Sequence, residues 1–537
     1  MKIKLFKCGQ VKFLSIFLCA APFLMLYPSQ CHAKWTVMVY MAADNDLDNQ
    51  RENQFLKDIN EMELGIDTTT VNLIVLADRA GDSNTFSYNI VKDTITTISY
   101  PYTGGYTYTG IASSSISVST LLPLTTTNEL NMGDPANLVV FSTWTINNYP
   151  ADRYMLIIWD HGTGWLNQMQ SPRTKKGIAI DKNSLTEATT DYLTMDELSS
   201  ALETIKSVSG KKINIIGFDA CLMGQIEVAY QIKDYADYMI ASEENEPTAG
   251  WPYDEIMLQF VGNGSISSID LSKKIVDVMD ISYSQIQYNS RTMSAIDLGK
   301  TDNLKNAIIN LADGLISIRK MPSIYNAINS SVLPAVEYFG MVSNDIYGGV
   351  DLYDLAYKIE QSTNIGYMGL KTAAASVEHA VNDCVIANST GSGHPNSHGI
   401  SINFPKSYDA WFLTNNPDDY YSQLKFAKDT NWNYFLNNFY NTSIFIPNTL
   451  FYVVSAPNPY NPNSGRLAVR NFPERSFIEL KIYALDGSLV RAIETVGEMI
   501  EWDGANDSGS VVASGIYFYT AKTAVGTAKG KITVVKK

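Results

Sequence analysis

Five short, nearly unbroken apolar runs limit what the first half of this chain can fold into. They lie at residues 35–41 (WTVMVYM), 71–77 (VNLIVLA), 154–159 (YMLIIW), 213–218 (INIIGF) and 238–241 (YMIA). A strand with one face in water alternates apolar and polar residues, whereas a strand covered on both faces is apolar throughout. Runs of the second kind suit a parallel sheet buried between helices. Helical segments fall between them at 49–63, 194–208 and 222–235. The middle one opens on Thr194 with Glu197 three residues later, the pattern of a capping box. The alternation predicts an α/β sheet with helices on both faces over residues 34–260.

The rest of the chain reads differently. Residues 116–130 are rich in Ser and Thr and suggest a loop or hairpin. Residues 261–445 read as mostly helical, with one further strand at 399–404 (GISINF). This stretch either completes the first domain or packs on it as a subdomain. At 446–463 the composition shifts to a linker containing PNPYNPN. Short strands follow at 466–470, 477–485, 489–494, 516–524 and 530–535, with turn signals at 485–487 (LDG) and 507–509 (DSG). They predict a small antiparallel β-sandwich over 464–537.

The N-terminus reads as a secretory leader. Lys2, Lys4, Lys7 and Lys12 precede an apolar run that ends near Tyr27, and Cys31-His32-Ala33 closes the segment. The apolar run is shorter than the roughly 20 residues of a spanning helix. Cleavage after Ala33 is expected, so residues 1–33 are a signal peptide and the mature protein is secreted or held at a cell surface. The chain carries a net charge of −15, and losing the four leader lysines makes it more negative. A nucleic-acid binder needs a basic footprint, so that class of partner is excluded. Of five cysteines, Cys221 and Cys384 survive cleavage. Two cysteines make no disulfide framework for a secreted chain of this length. Either they pair, or at least one is kept for its chemistry.

Local sequence bears on that choice. His161 follows the third apolar run in WDHGTGW, and Cys221 follows the fourth in GFDACLMG. In open α/β sheets, functional groups collect at the carboxyl ends of strands. A Cys–His pair there suits acyl transfer, with a thiolate attacking a carbonyl and an imidazole moving the proton. The N–H groups of Gly162 and Cys221 form a candidate oxyanion hole. A helix beginning near Leu222 would set its positive end beside the thiolate. Each residue taken alone has a bland role, the Cys as a small buried hydrophobe and the His as a loop residue. The pairing at corresponding strand ends is what points to chemistry.

Residues 35–260 resemble the clostripain family of cysteine peptidases, of the clan that includes gingipains, legumain and caspases. The matching segments are WTVMVYMAADNDLD (35–48), LIIWDHGTGW (156–165), IIGFDACLMGQIEVAYQI (215–232) and YMIASEENEPTAGWPYDEI (238–256). The resemblance implies a caspase-like α/β/α sandwich, His161 as general base and acid, and Cys221 as nucleophile. It implies protein or peptide substrates, cut after Arg or Lys by way of acidic pocket groups. Asp219 matches the pocket position, with helix capping as its alternative role, and Glu246 is a further candidate beside Glu243 and Glu244. Pro252 stands where some relatives carry an acidic residue.

No cofactor is expected. Asp44, Asp46 and Asp48 alternate like the start of a calcium loop, but Asn49 replaces its glycine and Phe55 its bidentate glutamate. They read mainly as strand-end and helix-cap residues, and the resemblance keeps calcium open. His394 and His398, among Gly and Pro, make no zinc site. Arg173, Lys175 and Lys176 lie in a loop between the His161 and Cys221 strands and are candidate self-processing sites.

The C-terminal stretch resembles the immunoglobulin-like domains that end many bacterial secreted enzymes. The resemblance rests on PNPYNP (457–462), IYALDGSLVR (482–491), WDGANDSGSVVASGIYFY (502–519) and GKITVVK (530–536). It implies an accessory role at the cell surface or with secretion machinery. The rival to an active endopeptidase is a catalytically silent surface adhesion or binding protein on a peptidase fold. The intact His161 and Cys221 argue against it.

Overall fold

The five apolar runs become the five central strands of one sheet. A computed structural model describes residues 33–48, 54–80, 85–92, 114–116, 130–166, 177–182, 190–318, 321–340, 349–405, 420–440 and 454–536, apart from 471, 473–475, 498, 524 and 525. In chain order the strands are β1 (Ala33–Ala43), β2 (Val71–Arg79), β3 (Thr85–Asn89), β4 (Ser114–Ile116), β5 (Ala151–Trp159), β6 (Ile178–Asp181), β7 (Asp191–Leu193), β8 (Ile213–Asp219), β9 (Ala236–Ala241), β10 (Thr292–Asp297), β11 (Tyr338–Phe339), β12 (Gly349–Asp351), β13 (Val385–Thr390) and β14 (Ser401–Asn403). The large sheet has the order β13-β10-β9-β8-β5-β1-β2-β3-β4. Strands β9, β8, β5, β1 and β2 are mutually parallel. The added strands at both edges run antiparallel.

Both faces of the parallel strands are buried, which is why their sequences do not alternate. Met38, Tyr40, Leu156 and Ile158 point into one core, with Leu198 and Leu202. Val37, Val39, Met155 and Ile157 point into the other, with Phe55, Ile59, Tyr253 and Ile275. The first face is covered by α2 (Pro135–Asn148), α3 (Met195–Ser209), α4 (Ile226–Ile232) and α7 (Thr301–Ser317), among others. The second is covered by α1 (Gln54–Gly65), α5 (Tyr253–Leu258) and α6 (Ser268–Gln285). Burying each large aliphatic side chain contributes about 1.5–3 kcal/mol. Helix α3 has the capping box read from Thr194 and Glu197, and Gly210 ends it at φ +68°.

One open alternative is decided, one expected strand is found in a separate sheet, and one helix start is corrected. The region 261–445 contributes β10 and β13 to the main sheet, so it completes that sheet. Both are six residues long, and β13 is an edge strand only partly buried, so neither carries a long apolar signal. The strand read at 399–404 is β14, which joins β11 and β12 in a separate small sheet. The helix read from Leu222 begins only at Ile226, because Leu222 lies in the left-handed region at φ +64°. The leader ahead of Ala33, most of the Ser/Thr-rich stretch and the linker at 446–453 lie outside the described residues.

The C-terminal unit consists of two antiparallel sheets over one core. One joins β15 (Val454–Ala456), β16 (Leu467–Arg470) and β19 (Met499–Trp502); the other joins β17 (Ser476–Tyr483), β18 (Leu489–Gly497), β20 (Gly515–Thr523) and β21 (Gly526–Val534). Tyr460, Leu480, Trp502 and Ile532 fill that core. Tyr460 donates its hydroxyl to the carbonyl of Gly465 at 3.0 Å, so 457–463 packs into this unit although it reads as linker. Among the described residues no helix is long and apolar enough to cross a membrane.

Candidate active site

Strand register brings His161 and Cys221 together. Trp159 of β5 pairs with Asp219 of β8, and the N–H of Asp160 donates to the carbonyl of Asp219 at 3.2 Å. His161 and Cys221 each lie two residues beyond that pair. Gly162 then packs on the Cys221 backbone. A Cβ there would lie 2.3 Å from the Cys221 carbonyl oxygen and 3.1 Å from its nitrogen. Only glycine allows so close an approach. Gly164, at φ +63°, leaves the same kind of space for Gln225, whose side chain accepts the N–H of Trp165 at 3.1 Å.

The His161 loop is held by Asp160, a buried residue whose role local sequence does not announce. Its carboxylate accepts the side-chain amide of Asn45 at 2.7 Å and the N–H of Ile180. Burial pushes its carboxyl well above the usual range. The His161 ring is 40% exposed, with Nε2 3.4 Å from Asp46 Oδ1. Lys182 Nζ approaches the same oxygen at 3.0 Å. Among the described residues no hydrogen bond joins the ring to the thiol.

Cys221 is more enclosed. Its sulfur accepts the N–H of Glu246 at 3.3 Å. Burial first, then the charges of Glu246, Glu244 and Asp219, push the thiol up to about 12, against the pull of that N–H. Helix α4 has Gln225 at its N-cap and no side-chain cap, so Asp219 does not cap it, and the positive helix end expected beside the thiol is displaced by a turn. The turn is tied to the end of β9: Leu222 N–H donates to Glu244 O at 3.2 Å and Gly224 N–H to Ser242 O at 2.7 Å. Cys384 is buried and free, so Cys221 and Cys384 do not pair.

The candidate pocket residues separate. Asp219 and Glu246 lie on one side of the thiol. Asp219 accepts the Tyr253 hydroxyl at 2.8 Å and the Trp251 N–H at 3.4 Å, and burial raises its carboxyl to about 6. Glu246 accepts Trp251 Nε1 at 3.1 Å and the Tyr283 hydroxyl at 3.3 Å. Glu243 and Glu244 are held by other partners. Glu243 accepts from Ser397 and from Gly399 N–H; Glu244 accepts Gly340 N–H at 3.0 Å and lies 3.4 Å from His394. His394 and His398 instead pair with Glu337 and Asp351. Pro252 forms the N-cap of α5, whose next residue supplies the hydroxyl on Asp219.

Sequence reasoning missed Lys57, Asp58 and Glu61. They sit on α1, among its buried positions or beside them. The sequence carried little signal: Lys57 and Glu61 are spaced four apart like an ordinary surface ion pair and fall on the other side of the helix from Phe55, Ile59 and Met62. The alternating aspartates also part company. Asp46 faces His161, Asp48 binds Arg79 at 2.8 Å, and Asp44 lies with Asp78 and Asp181. Carboxylate oxygens of those last three fall within 4.8 Å of one another, a hard-oxygen set that suits calcium better than zinc. The loop carrying Arg173, Lys175 and Lys176 lies outside the described residues.

Comparison with known proteins agrees with this geometry. The sequence pattern of the clostripain family matches residues 39–439. Clostripain from Hathewaya histolytica is 28% identical over 422 residues, covering 71% of this chain and 77% of that protein. A secreted C11 cysteine protease from Bacteroides thetaiotaomicron, solved with an irreversible peptide inhibitor, shares the fold at TM-score 0.51 and 20% identity, over 75% of this chain and all of that one. An inactive zymogen C11 protease from Parabacteroides distasonis superposes at TM-score 0.51 and 20% identity, over 74% of this chain and 98% of its own.

Proposed function

Because the chain belongs to the clostripain family of cysteine peptidases, we propose that it is a secreted endopeptidase in which Cys221 is the nucleophile and His161 the general base and acid. The observation that carries this is the β5–β8 register, which sets both residues at the same offset from a paired position. In the resting arrangement His161 faces Asp46 and the thiol is neutral. Turnover therefore begins with the exposed ring swinging from Asp46 to the sulfur and taking its proton. The thiolate attacks the substrate carbonyl carbon, and the oxyanion lies against the N–H groups of Gly162 and Cys221. The imidazolium gives its proton to the leaving amine as the C–N bond breaks. Water, losing a proton to His161, then cleaves the thioester and frees the second product.

Asp219 and Glu246 support cleavage after Arg or Lys, since buried carboxylates pair well with a guanidinium. Arg173, Lys175 and Lys176 then offer the enzyme its own loop as substrate. The reaction uses no cofactor. A calcium ion at Asp44, Asp78 and Asp181 would brace the segments that carry Asp46 and Lys182. The C-terminal unit is an immunoglobulin-like accessory domain that serves at the cell surface or in secretion. A peptide-library assay of the mature protein tests the main reading. Cleavage after basic residues, lost in Cys221→Ala, is expected. Turnover by that variant at the wild-type rate would sink it. On a gel with N-terminal sequencing, the wild-type chain should split after one of the three basic loop residues and Cys221→Ala should stay whole.

A further inference from the structure

The acidic cluster beside the nucleophile already holds a cation of its own. Lys57 projects from α1, and its Nζ lies 3.1 Å from Glu61 and 3.5 Å from Asp58. It donates to the carbonyl of Ala249 at 2.5 Å. The next residue, Gly250, lies where both Asp58 and Asp219 converge: a Cβ there would be 3.3 Å from Asp58 Oδ2 and 3.6 Å from Asp219 Oδ2. Trp159 Nε1 binds Asp58 at 2.7 Å; the Tyr253 N–H donates to Glu61 at 3.3 Å and its hydroxyl to Asp219, so one continuous network runs from α1 to the residue two before Cys221.

The balance of charge in this network is uneven. Asp58, Glu61 and Asp219 are buried and Glu246 is half-buried, while Lys57 is the one basic side chain that an ion pair ties to any of them among the described residues. Glu246 Oε1 is buried with no hydrogen-bond partner, and Asp58 Oδ1 has none beyond its ion pair with Lys57. Burial works against the ammonium of Lys57, and Asp58, Glu61 and Asp219 override it, so the side chain stays charged. The side chain is 14% exposed, so solvent screens these interactions weakly.

We propose that Lys57 is a specificity-determining residue: its ammonium takes up, from inside the protein, part of the negative charge that a basic substrate side chain would meet, and so sets how strongly Arg or Lys is preferred over a neutral residue. This rests on the reading of Asp219 and Glu246 as the pocket for such a side chain. Lys57 touches no substrate. It acts through Asp58 and Asp219, so its removal leaves a cation-sized charge deficit that an incoming guanidinium fills.

The test compares two peptides that differ only in arginine or citrulline on the acyl side of the cut bond, a near-isosteric pair that differs in charge. In Lys57→Met the arginine-to-citrulline ratio of kcat/KM should rise about tenfold over wild type, mainly through KM for the arginine peptide. Lys57→Arg keeps the charge and should keep the wild-type ratio. A general structural defect would lower both substrates together and leave the ratio alone. An unchanged ratio in Lys57→Met with a native melting curve overturns the proposal, even where the wild type prefers arginine. A wild type without preference, with arginine preferred by Lys57→Met, removes the basic-pocket reading of the native enzyme and upholds the role of Lys57. Should Lys57→Met fail to fold, Glu61→Gln serves instead. It removes one negative charge, so the ratio should fall, and a ratio that holds or rises overturns the proposal.

Discussion

The two halves of the proposed catalytic pair sit at the same offset from one strand pair, yet their surroundings differ. His161 is 40% exposed and faces an aspartate and, through it, a lysine. Cys221 is enclosed, its sulfur bound by a backbone N–H and its nearest charges all acidic. The contrast teaches that strand topology delivers proximity while side-chain environment decides readiness. A ring near water moves cheaply between partners. A half-buried thiol among carboxylates stays protonated until a base reaches it.

The largest effect should come from removing either half. Cys221→Ala should cut kcat/KM on the order of 10^4-fold or more, and His161→Ala about 10^3-fold, with the fold intact by circular dichroism. A double variant whose loss equals the product of the two single losses would mean that the two residues do not act as a pair.

The next test asks whether the thiol rests neutral. With its titration pushed up to about 12, Cys221 should be alkylated by iodoacetamide about 10^3-fold more slowly than a free cysteine at pH 8. The sign follows from the thiolate fraction: below that titration the rate should rise about tenfold per pH unit. A rate that is fast and flat from pH 6 to 8 would place a thiolate at the site and break the contrast drawn above.

Asp219→Asn keeps the shape of the pocket and removes a charge. It should reduce the preference for arginine over citrulline by about 10- to 100-fold, read from kcat/KM on paired peptides. A loss shared equally by both peptides would assign Asp219 to support of the nucleophile turn alone.

The smallest effect belongs to the exposed side of the comparison. Asp46→Asn frees His161 from its resting partner and should raise kcat by about two- to fivefold, because ion pairs this exposed are weak. A loss as deep as that of His161→Ala would make Asp46 a member of the catalytic set.

The sequence by itself determined the central sheet and singled out His161 and Cys221 as the proposed reacting residues. Strands buried on both faces must be apolar throughout, and β1, β2, β5, β8 and β9 are written that way. Motifs at their ends, WDHG and FDAC, then mark the edge where chemistry belongs. Tertiary structure decided what short or non-local signals do not carry. Strands β10 and β13 have six residues each and join the sheet through partners on β9 and on each other. The start of α4 depends on the left-handed turn at Leu222, which is tied to Glu244 across the chain. The pocket depends on α1, more than 150 residues before Asp219, meeting the turn at Ala249 and Gly250. A periodic pattern reports which face of an element is buried; it does not report which other element lies against that face. That is why Lys57 and Asp58 read as ordinary helix charges until packing sets them against the turn at Ala249 and Gly250, beside Asp219.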